Sequence, residues 1–78
     1  MIEKLKIKVI YDDFLDSVHL TREQIKILNM LIQKETIVKI SFEIGVSERT
    51  IGYEIRKIKD LYNDYCELQL SKAKLLTK

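Results

Sequence analysis

The amino-terminal part of the chain carries apolar side chains at the spacing of one helix face. Successive apolar positions lie one or three residues apart, at Ile7, Ile10, Tyr11, Phe14, Leu15 and Val18. A helix brings such positions to one side, so the spacing predicts a first helix over residues 3–17. Positions 5, 7, 9 and 11 also alternate as a strand does. A lone strand would lack a partner for pairing, and the helix is therefore the favoured interpretation.

A second helix is predicted from a start signal. Thr21 is followed three residues later by Gln24, the pattern of a capping box, in which each side chain satisfies a free amide of the helix start. The helix is expected to continue to about Gln33. Its buried face is predicted at Ile25, Ile27, Leu28, Leu31 and Ile32.

Two more helices follow with a tight turn between them. Thr36 can cap a short helix over residues 37–44, and Gly45 can end it because glycine adopts a positive φ at little cost. Ser47 then caps another helix, with Thr50 at the N3 position. The buried face of that helix is predicted at Ile51, Ile55, Ile58 and Tyr62.

The turn has the residues that a helix-turn-helix requires. Ser41 is small where the two helices would cross, Gly45 lies in the turn, and Val46 can fill the angle between the helices. The fold class predicted is therefore all-α, a small domain of four or five helices with a central helix-turn-helix. Residues 1–19 would form the amino-terminal helix, residues 20–62 the helix-turn-helix core, and residues 63–78 a carboxy-terminal helix.

The sequence after Tyr62 permits two arrangements. Asn63 or Asp64 could cap a separate helix over residues 65–76, and Asp64 with Glu67 resembles a capping box. Alternatively, the spacing of three and four residues from Ile58 onward would suit one continuous helix. We favour the break.

Composition limits the function classes. The 78 residues are 46% apolar, enough for one small core but too few for a second domain. The net charge of +2 permits nucleic-acid binding without arguing for it. We expect a cytoplasmic chain with no membrane partner, since no apolar run approaches the ~18 residues needed to span a bilayer.

Few residues offer enzyme or metal chemistry. The chain has one cysteine, Cys66, and one histidine, His19, too few for a zinc site. We expect Cys66 to be a small apolar filler and His19 a surface residue. Asp12, Asp13 and Asp16 are interpreted as a solvated helix face placed away from DNA. No nucleophile–base pair is evident, so neither an enzyme nor a cofactor is expected.

Residues 20–58, LTREQIKILNMLIQKETIVKISFEIGVSERTIGYEIRKI, resemble the LuxR-type (GerE-type) DNA-binding domain, whose pattern is roughly LTxRExxVLxLLAxGxSxxEIAxxLxISExTVxxHIxxI. The alignment is without gaps over half of the chain. Region 4 of sigma factors and several phage regulators share much of this pattern. Gln24, Lys34, Ser41 and Glu54 depart from it, and Glu54, at a frequent histidine position, changes the character of its site most.

The resemblance implies a bacterial or phage transcription regulator that binds double-stranded DNA with the helix beginning at Ser47. The implied DNA-facing residues are Glu48, Arg49, Gly52, Tyr53 and Arg56, with Lys57 beside them. Arg49 or Arg56 could bond guanine O6 and N7 together. Thr36, Lys39, Ser47 and Lys59 are expected to position phosphates. Gly52, inside a helix, either lets DNA approach closely or is tolerated neutrally.

The resemblance also implies a homodimer of the family's stand-alone form. Its members commonly dimerise through the helix after the recognition helix, which here places Tyr65, Leu68, Leu75 and Leu76 in the interface. An alternative, favoured by Glu48 and Glu54, is a protein-interaction module that binds RNA polymerase or another regulator. A third possibility is a phage DNA-packaging recognition subunit.

Overall fold

The computed structural model describes the backbone of residues 1–76 and the side chains of residues 1–70. Over residues 1–76 the chain forms helices joined by turns and contains no β-strand. The helices are α1 (Ile2–Leu5), α2 (Lys8–Ser17), α3 (Arg22–Ile32), α4 (Ile37–Ile44) and α5 (Glu48–Leu76). The predicted all-α class, with α4, a turn and α5 at its centre, is confirmed.

The predicted first helix is two helices. The backbone is extended at Ile7 (φ −82°, ψ 115°), which separates α1 from α2 and leaves the Ile7 side chain exposed. This corrects the expectation of one helix with Ile7 on its buried face. The break lets α1 turn back against α3, where Leu5 enters the core instead.

The core lies where α5 crosses the other helices. Its fully buried side chains come from every helix, at Leu5, Phe14, Ile27, Leu28, Ile40, Ile51 and Ile58. Phe14 of α2 contacts two tyrosines of α5 edge to face, with ring centroids 5.5 Å from Tyr62 and 5.4 Å from Tyr65. Such edge-to-face pairs add to the energy of apolar burial, so α2 is held firmly on α5.

The preferred break after Tyr62 is wrong, because α5 continues without interruption through Asn63 and Asp64. Both residues are exposed on the helix surface. Tyr62 and Tyr65, on either side of them, pack against the same Phe14 ring and need helical spacing to do so. Tertiary packing therefore outweighs the local capping preference of Asn63 and Asp64.

The start signals of α3 and α4 are confirmed. Thr21 accepts from the Gln24 amide at 3.1 Å, and Gln24 accepts from the Thr21 amide at 3.0 Å, completing the capping box. Thr36 accepts from the Lys39 amide at 3.2 Å. Between these helices, Lys34 has a φ of 65°, a left-handed conformation that costs an L-residue about 1–2 kcal/mol.

Candidate nucleic-acid interface

A glycine turn sets the direction in which α5 leaves α4. Gly45 has a φ of 82°, and its N–H donates to the Ser41 carbonyl at 2.9 Å. Val46 also donates to Ser41, at 3.2 Å, and its side chain packs against the core. Ser47 then accepts from the Thr50 amide at 3.1 Å, which starts α5 as predicted. The turn is thereby fixed by backbone conformation, capping and apolar contact together.

The outward side of α5 carries an open groove next to this turn. Its volume is about 540 Å³, and its lining residues are Arg49, Thr50, Gly52, Tyr53 and Arg56. We call it the α5 groove. Four of these five residues were predicted to face DNA, and the structure brings them together because Ile51, Ile55 and Ile58 occupy the opposite side of the helix. Thr50 is exposed and was predicted only as the N3 residue of α5, not as a DNA-facing residue.

The cations of the α5 groove are available to a ligand. Among residues 1–70, no carboxylate forms an ion pair with Arg49 or Arg56. Tyr53, 60% exposed, presents its ring beside them. Lys57 lies at the groove's edge, with its Nζ 4.6 Å from the centroid of the Tyr53 ring. The groove therefore combines two accessible guanidinium groups with an accessible aromatic ring.

Glu54 points away from the groove. Its side chain is only 17% exposed, and one carboxylate oxygen accepts from Gln24 Nε2 at 2.9 Å. The other oxygen lies 3.7 Å from Lys57 Nζ. The acidic residue expected to weigh against DNA is thus turned toward α3 and paired with a lysine. Glu48, in the first turn of α5, is exposed.

The predicted phosphate contacts lie in the first turns of α4 and α5 and, for Lys59, further along α5. Thr36 and Ser47 use their side-chain oxygens as caps for α4 and α5. Lys39 Nζ lies 3.1 Å from Glu35, so its charge is already paired. Lys59 is exposed one turn beyond Arg56.

The residues proposed for dimerisation have different environments. Tyr65 is only 8% exposed and its hydroxyl donates to Asp13, so its assignment to a surface interface is wrong. Leu68 is 52% exposed and remains available. The side chains of Leu75 and Leu76 lie outside the described residues.

Sequence reasoning missed an apolar surface on α4. Phe42 is 85% exposed, and Val38, one turn earlier on the same side, is also exposed. We call these two residues the α4 ridge. The signal was present in the sequence, because Ile40 and Ile44 already account for the buried side of this short helix.

Two smaller expectations are also corrected. Cys66 is an exposed free thiol rather than an apolar filler. Asp13 is exposed but not merely solvated, since it accepts from Tyr65 and, at 3.4 Å, from Gln69. His19 is exposed, as predicted. Among the described residues, no group of three or more His, Cys, Asp or Glu side chains is arranged to hold a metal ion.

The two core tyrosines have strongly raised pKa values. Donation to the Asp13 carboxylate, with burial second, raises the pKa of Tyr65 to about 12. Burial, followed by the neighbouring Cys66, raises the pKa of Tyr62 to about 12. Both hydroxyls therefore stay protonated at neutral pH.

Comparison with known proteins found no matching family model, no matching curated protein and no matching solved structure. Within the described part of the chain, no helix has the length and apolar character needed to cross a membrane.

The α5 groove brings two arginine side chains and an exposed tyrosine ring together. Such a surface suits an anionic polymer that also offers planar rings and hydrogen-bond acceptors.

Proposed function

We propose that this chain is a sequence-specific double-stranded DNA-binding transcription regulator that inserts the first turns of α5 into the major groove. The observation that carries the proposal is the pair of arginines, Arg49 and Arg56, on the outward side of α5. Neither forms an ion pair with a carboxylate among residues 1–70. The helix that carries them begins at the tight glycine turn. Recognition helices of helix-turn-helix proteins contact base edges from this position.

The spacing of the arginines fits the duplex. Arg49 and Arg56 are seven residues apart, which is about 10 Å along a helix that rises 1.5 Å per residue. Base pairs follow one another at about 3.4 Å, so the two guanidinium groups span about three steps. Each can bond guanine O6 and N7 together, a contact worth about 1–3 kcal/mol against the wrong base.

Gly52 lies between the two arginines on the groove. It is exposed, and an added Cβ would meet no atom within 4 Å, so the fold itself does not require glycine there. A missing side chain lets the α5 backbone come closer to base edges. Tyr53 can then make apolar contact or donate its hydroxyl, while Glu48 can accept from cytosine N4.

Phosphate contacts would come from the groove's edges. Lys59 follows Arg56 on an exposed position of α5, and the starts of α4 and α5 offer free amides. Thr36 and Ser47 can donate their hydroxyl protons while their oxygens remain caps. On DNA, Lys39 would break its ion pair with Glu35 and pair with a phosphate instead.

The proposal is tested with Arg56→Ala in sites selected from random duplex DNA. Specific binding should be lost while helical circular dichroism and melting stay unchanged, because Arg56 is exposed and forms no ion pair within residues 1–70. Arg22→Ala is the matched control, since it removes the same charge from an exposed position of α3. Binding of the wild type should weaken with salt, at a log–log slope of about −0.9 per neutralised phosphate. If the wild type retains no duplex even at low salt, DNA binding is excluded.

A homodimer through α5 accompanies this proposal. Leu68 and Leu75 follow Leu61, which packs against this chain's own core, at intervals of seven residues, the spacing of a coiled-coil seam. Leu68 is exposed on that line, and α5 extends along a molecule 49 Å long, with its end beyond the core. Two copies of the α5 end could therefore pair while leaving both α5 grooves free.

The α4 ridge favours a second candidate, a protein-interaction module that binds RNA polymerase or another regulator. Exposed apolar side chains that adjoin one another, as Phe42 and Val38 do, are a feature of protein contact surfaces. Phe42→Ser with Val38→Ser should abolish binding to purified RNA polymerase and leave duplex binding intact. Salt would weaken such an apolar contact little. Unchanged polymerase binding in the double variant would exclude the ridge as the contact.

A further inference from the structure

Four side chains connect the start of α3 to the α5 groove. Gln24 Oε1 accepts from the Thr21 amide within the capping box, and Gln24 Nε2 donates to Glu54 at 2.9 Å. The second oxygen of Glu54 faces Lys57 at 3.7 Å, and Lys57 Nζ lies 4.6 Å from the Tyr53 ring centroid. We call Gln24, Glu54, Lys57 and Tyr53 the Glu54 network.

The network is anchored at its α3 end. Gln24 is buried, and the capping box fixes which end of its amide faces the Thr21 amide. The amide nitrogen must therefore point at Glu54, so only an acceptor suits that position. Glu54 has one oxygen for Gln24 and one for Lys57, and a neutral amide could not accept from both with separate oxygens.

The free end of the network lies in the α5 groove. Tyr53 is exposed there, and the ammonium of Lys57 is held over its ring, an arrangement that is attractive by cation–π interaction. Without Glu54, Lys57 would lose its only ion pair among the described residues and could leave the ring for solvent. Tyr53 would then lose the neighbour that restricts its position.

We propose that Glu54 is a positioning residue: held by Gln24, it keeps Lys57 over Tyr53 and so sets how Tyr53 is presented to the base edges. The specificity part of this inference rests on the proposed DNA-binding function. The opposite interpretation is that Glu54 is only a carboxylate that repels phosphate. The two interpretations predict opposite changes in DNA affinity when the Glu54 charge is removed. A positioning role predicts weaker binding, and mere repulsion predicts tighter binding.

Exchanging the two side chains provides the sharpest test. In Glu54→Gln, an amide nitrogen is forced toward either Gln24 Nε2 or Lys57, so one of the two links fails. In Gln24→Glu, two carboxylates face each other without a donor.

The double variant Gln24→Glu/Glu54→Gln restores every link, with donor and acceptor exchanged only between positions 24 and 54, while the Thr21 amide and Lys57 remain donors. The carboxylate introduced at position 24 accepts from the Thr21 amide with one oxygen and from the new amide nitrogen at position 54 with the other. The amide oxygen at position 54 then accepts from Lys57. The net charge of the double variant equals that of the wild type, so any recovery reflects the links and not the charge.

The first readout is nuclear magnetic resonance and needs no DNA. The side-chain protons of Lys57 nearest Nζ should be shifted upfield by the Tyr53 ring in the wild type. Tyr53→Phe keeps a ring and identifies the tyrosine signals, and Tyr53→Ala should abolish the shift. The shift should fall in Glu54→Gln and in Gln24→Glu and return in the double variant. An unaltered shift in Glu54→Gln, or no recovery in the double variant, overturns the inference.

The second readout is the set of duplexes selected from random DNA. Glu54→Gln should lose on the order of ten-fold in affinity for the wild-type site, as expected for one charge-assisted hydrogen bond, and the double variant should recover it. Lys57→Met should broaden the selected sequence, whereas Lys59→Met should only weaken binding to all duplexes. Tighter binding by Glu54→Gln, or one selected sequence for all variants, overturns the positioning role. If the wild type binds no duplex, the proposed function fails and the resonance shifts still decide whether the network exists.

Discussion

Replacing Gly52 by alanine separates the demands of the fold from those of the α5 groove. Gly52 lies inside α5, where glycine costs about 1 kcal/mol relative to alanine. An added Cβ would meet no atom within 4 Å, so no steric cost offsets this gain. We therefore expect Gly52→Ala to stabilise the protein by about 0.8–1 kcal/mol, the full difference in helix propensity.

The assay is urea unfolding followed by circular dichroism, with a thermal melt beside it. For a domain of this size, about 1 kcal/mol corresponds to a rise in Tm of about 4–8 °C. Gly45→Ala is the matched control, because it makes the same change where φ is 82°. There alanine should destabilise by about 1–2 kcal/mol, so the two substitutions should have opposite signs. A Gly52→Ala protein no more stable than wild type would refute the helical conformation at this position.

The same variant tests the approach of DNA. If the α5 backbone lies close to base edges, the new methyl group should weaken specific binding even though the fold is more stable. Stability and affinity would then move in opposite directions. A gain in both stability and DNA affinity would mean that Gly52 is neutral in the groove and that the duplex contacts only the longer side chains around it.

Three other perturbations follow from particular contacts. Lys34→Gly should raise stability by about 0.5–1 kcal/mol in urea unfolding, because relief of a left-handed backbone exceeds the entropy cost of glycine; a loss would contradict the φ of 65°. Tyr65→Phe should cost about 1 kcal/mol at pH 7 through loss of the bond to Asp13. Tyr62 and Tyr65 have folded pKa values raised from 10.0 to about 12, so their contribution is complete below pH 10 and is lost as pH rises toward 12. Tyr65→Phe should therefore make the alkaline loss of stability between these pH values shallower, and an equally steep loss would refute the assignment. Leu68→Glu should convert a dimer to a monomer in sedimentation while Leu70→Glu, on another side of α5, does not; a monomeric wild type would exclude the α5 interface.

Local signals in the sequence were sufficient for the helix starts and for the turn. Thr21, Thr36 and Ser47 each accept from an amide three residues later, an interaction decided within one helical turn. Gly45 was identified for the same reason, since a left-handed residue after a helix is a local requirement. The outward position of the α5 groove followed from the apolar spacing on the opposite side of the helix.

Features that depend on contacts between distant segments could not be predicted. Asn63 and Asp64 favour a helix start locally, but Phe14, far away in the chain, binds tyrosines on both sides of them and keeps α5 continuous. Glu54 was weighed against DNA binding, and its bond to Gln24, thirty residues away in the chain, gave no signal in the sequence. Ile7 was expected on a buried helix face. The extended backbone there accompanies the packing of α1 against α3, a contact between separate segments that the local spacing does not show.

The modest net charge of +2 does not describe the surface that would meet DNA. Asp13 of α2 bonds Tyr65 and Gln69, which lie nine and thirteen residues beyond Arg56 on α5. At 1.5 Å per residue, Asp13 is therefore about 14–20 Å from Arg56 along the helix. Charges more than about 8–10 Å apart are largely screened at physiological salt. With Glu54 turned toward Gln24, the charges nearest the α5 groove are those of Arg49, Arg56 and the neighbouring lysines, opposed by Glu48 and by Asp60, which lies four residues beyond Arg56. A small protein can thus be nearly neutral as a whole and still present a locally cationic helix to a duplex.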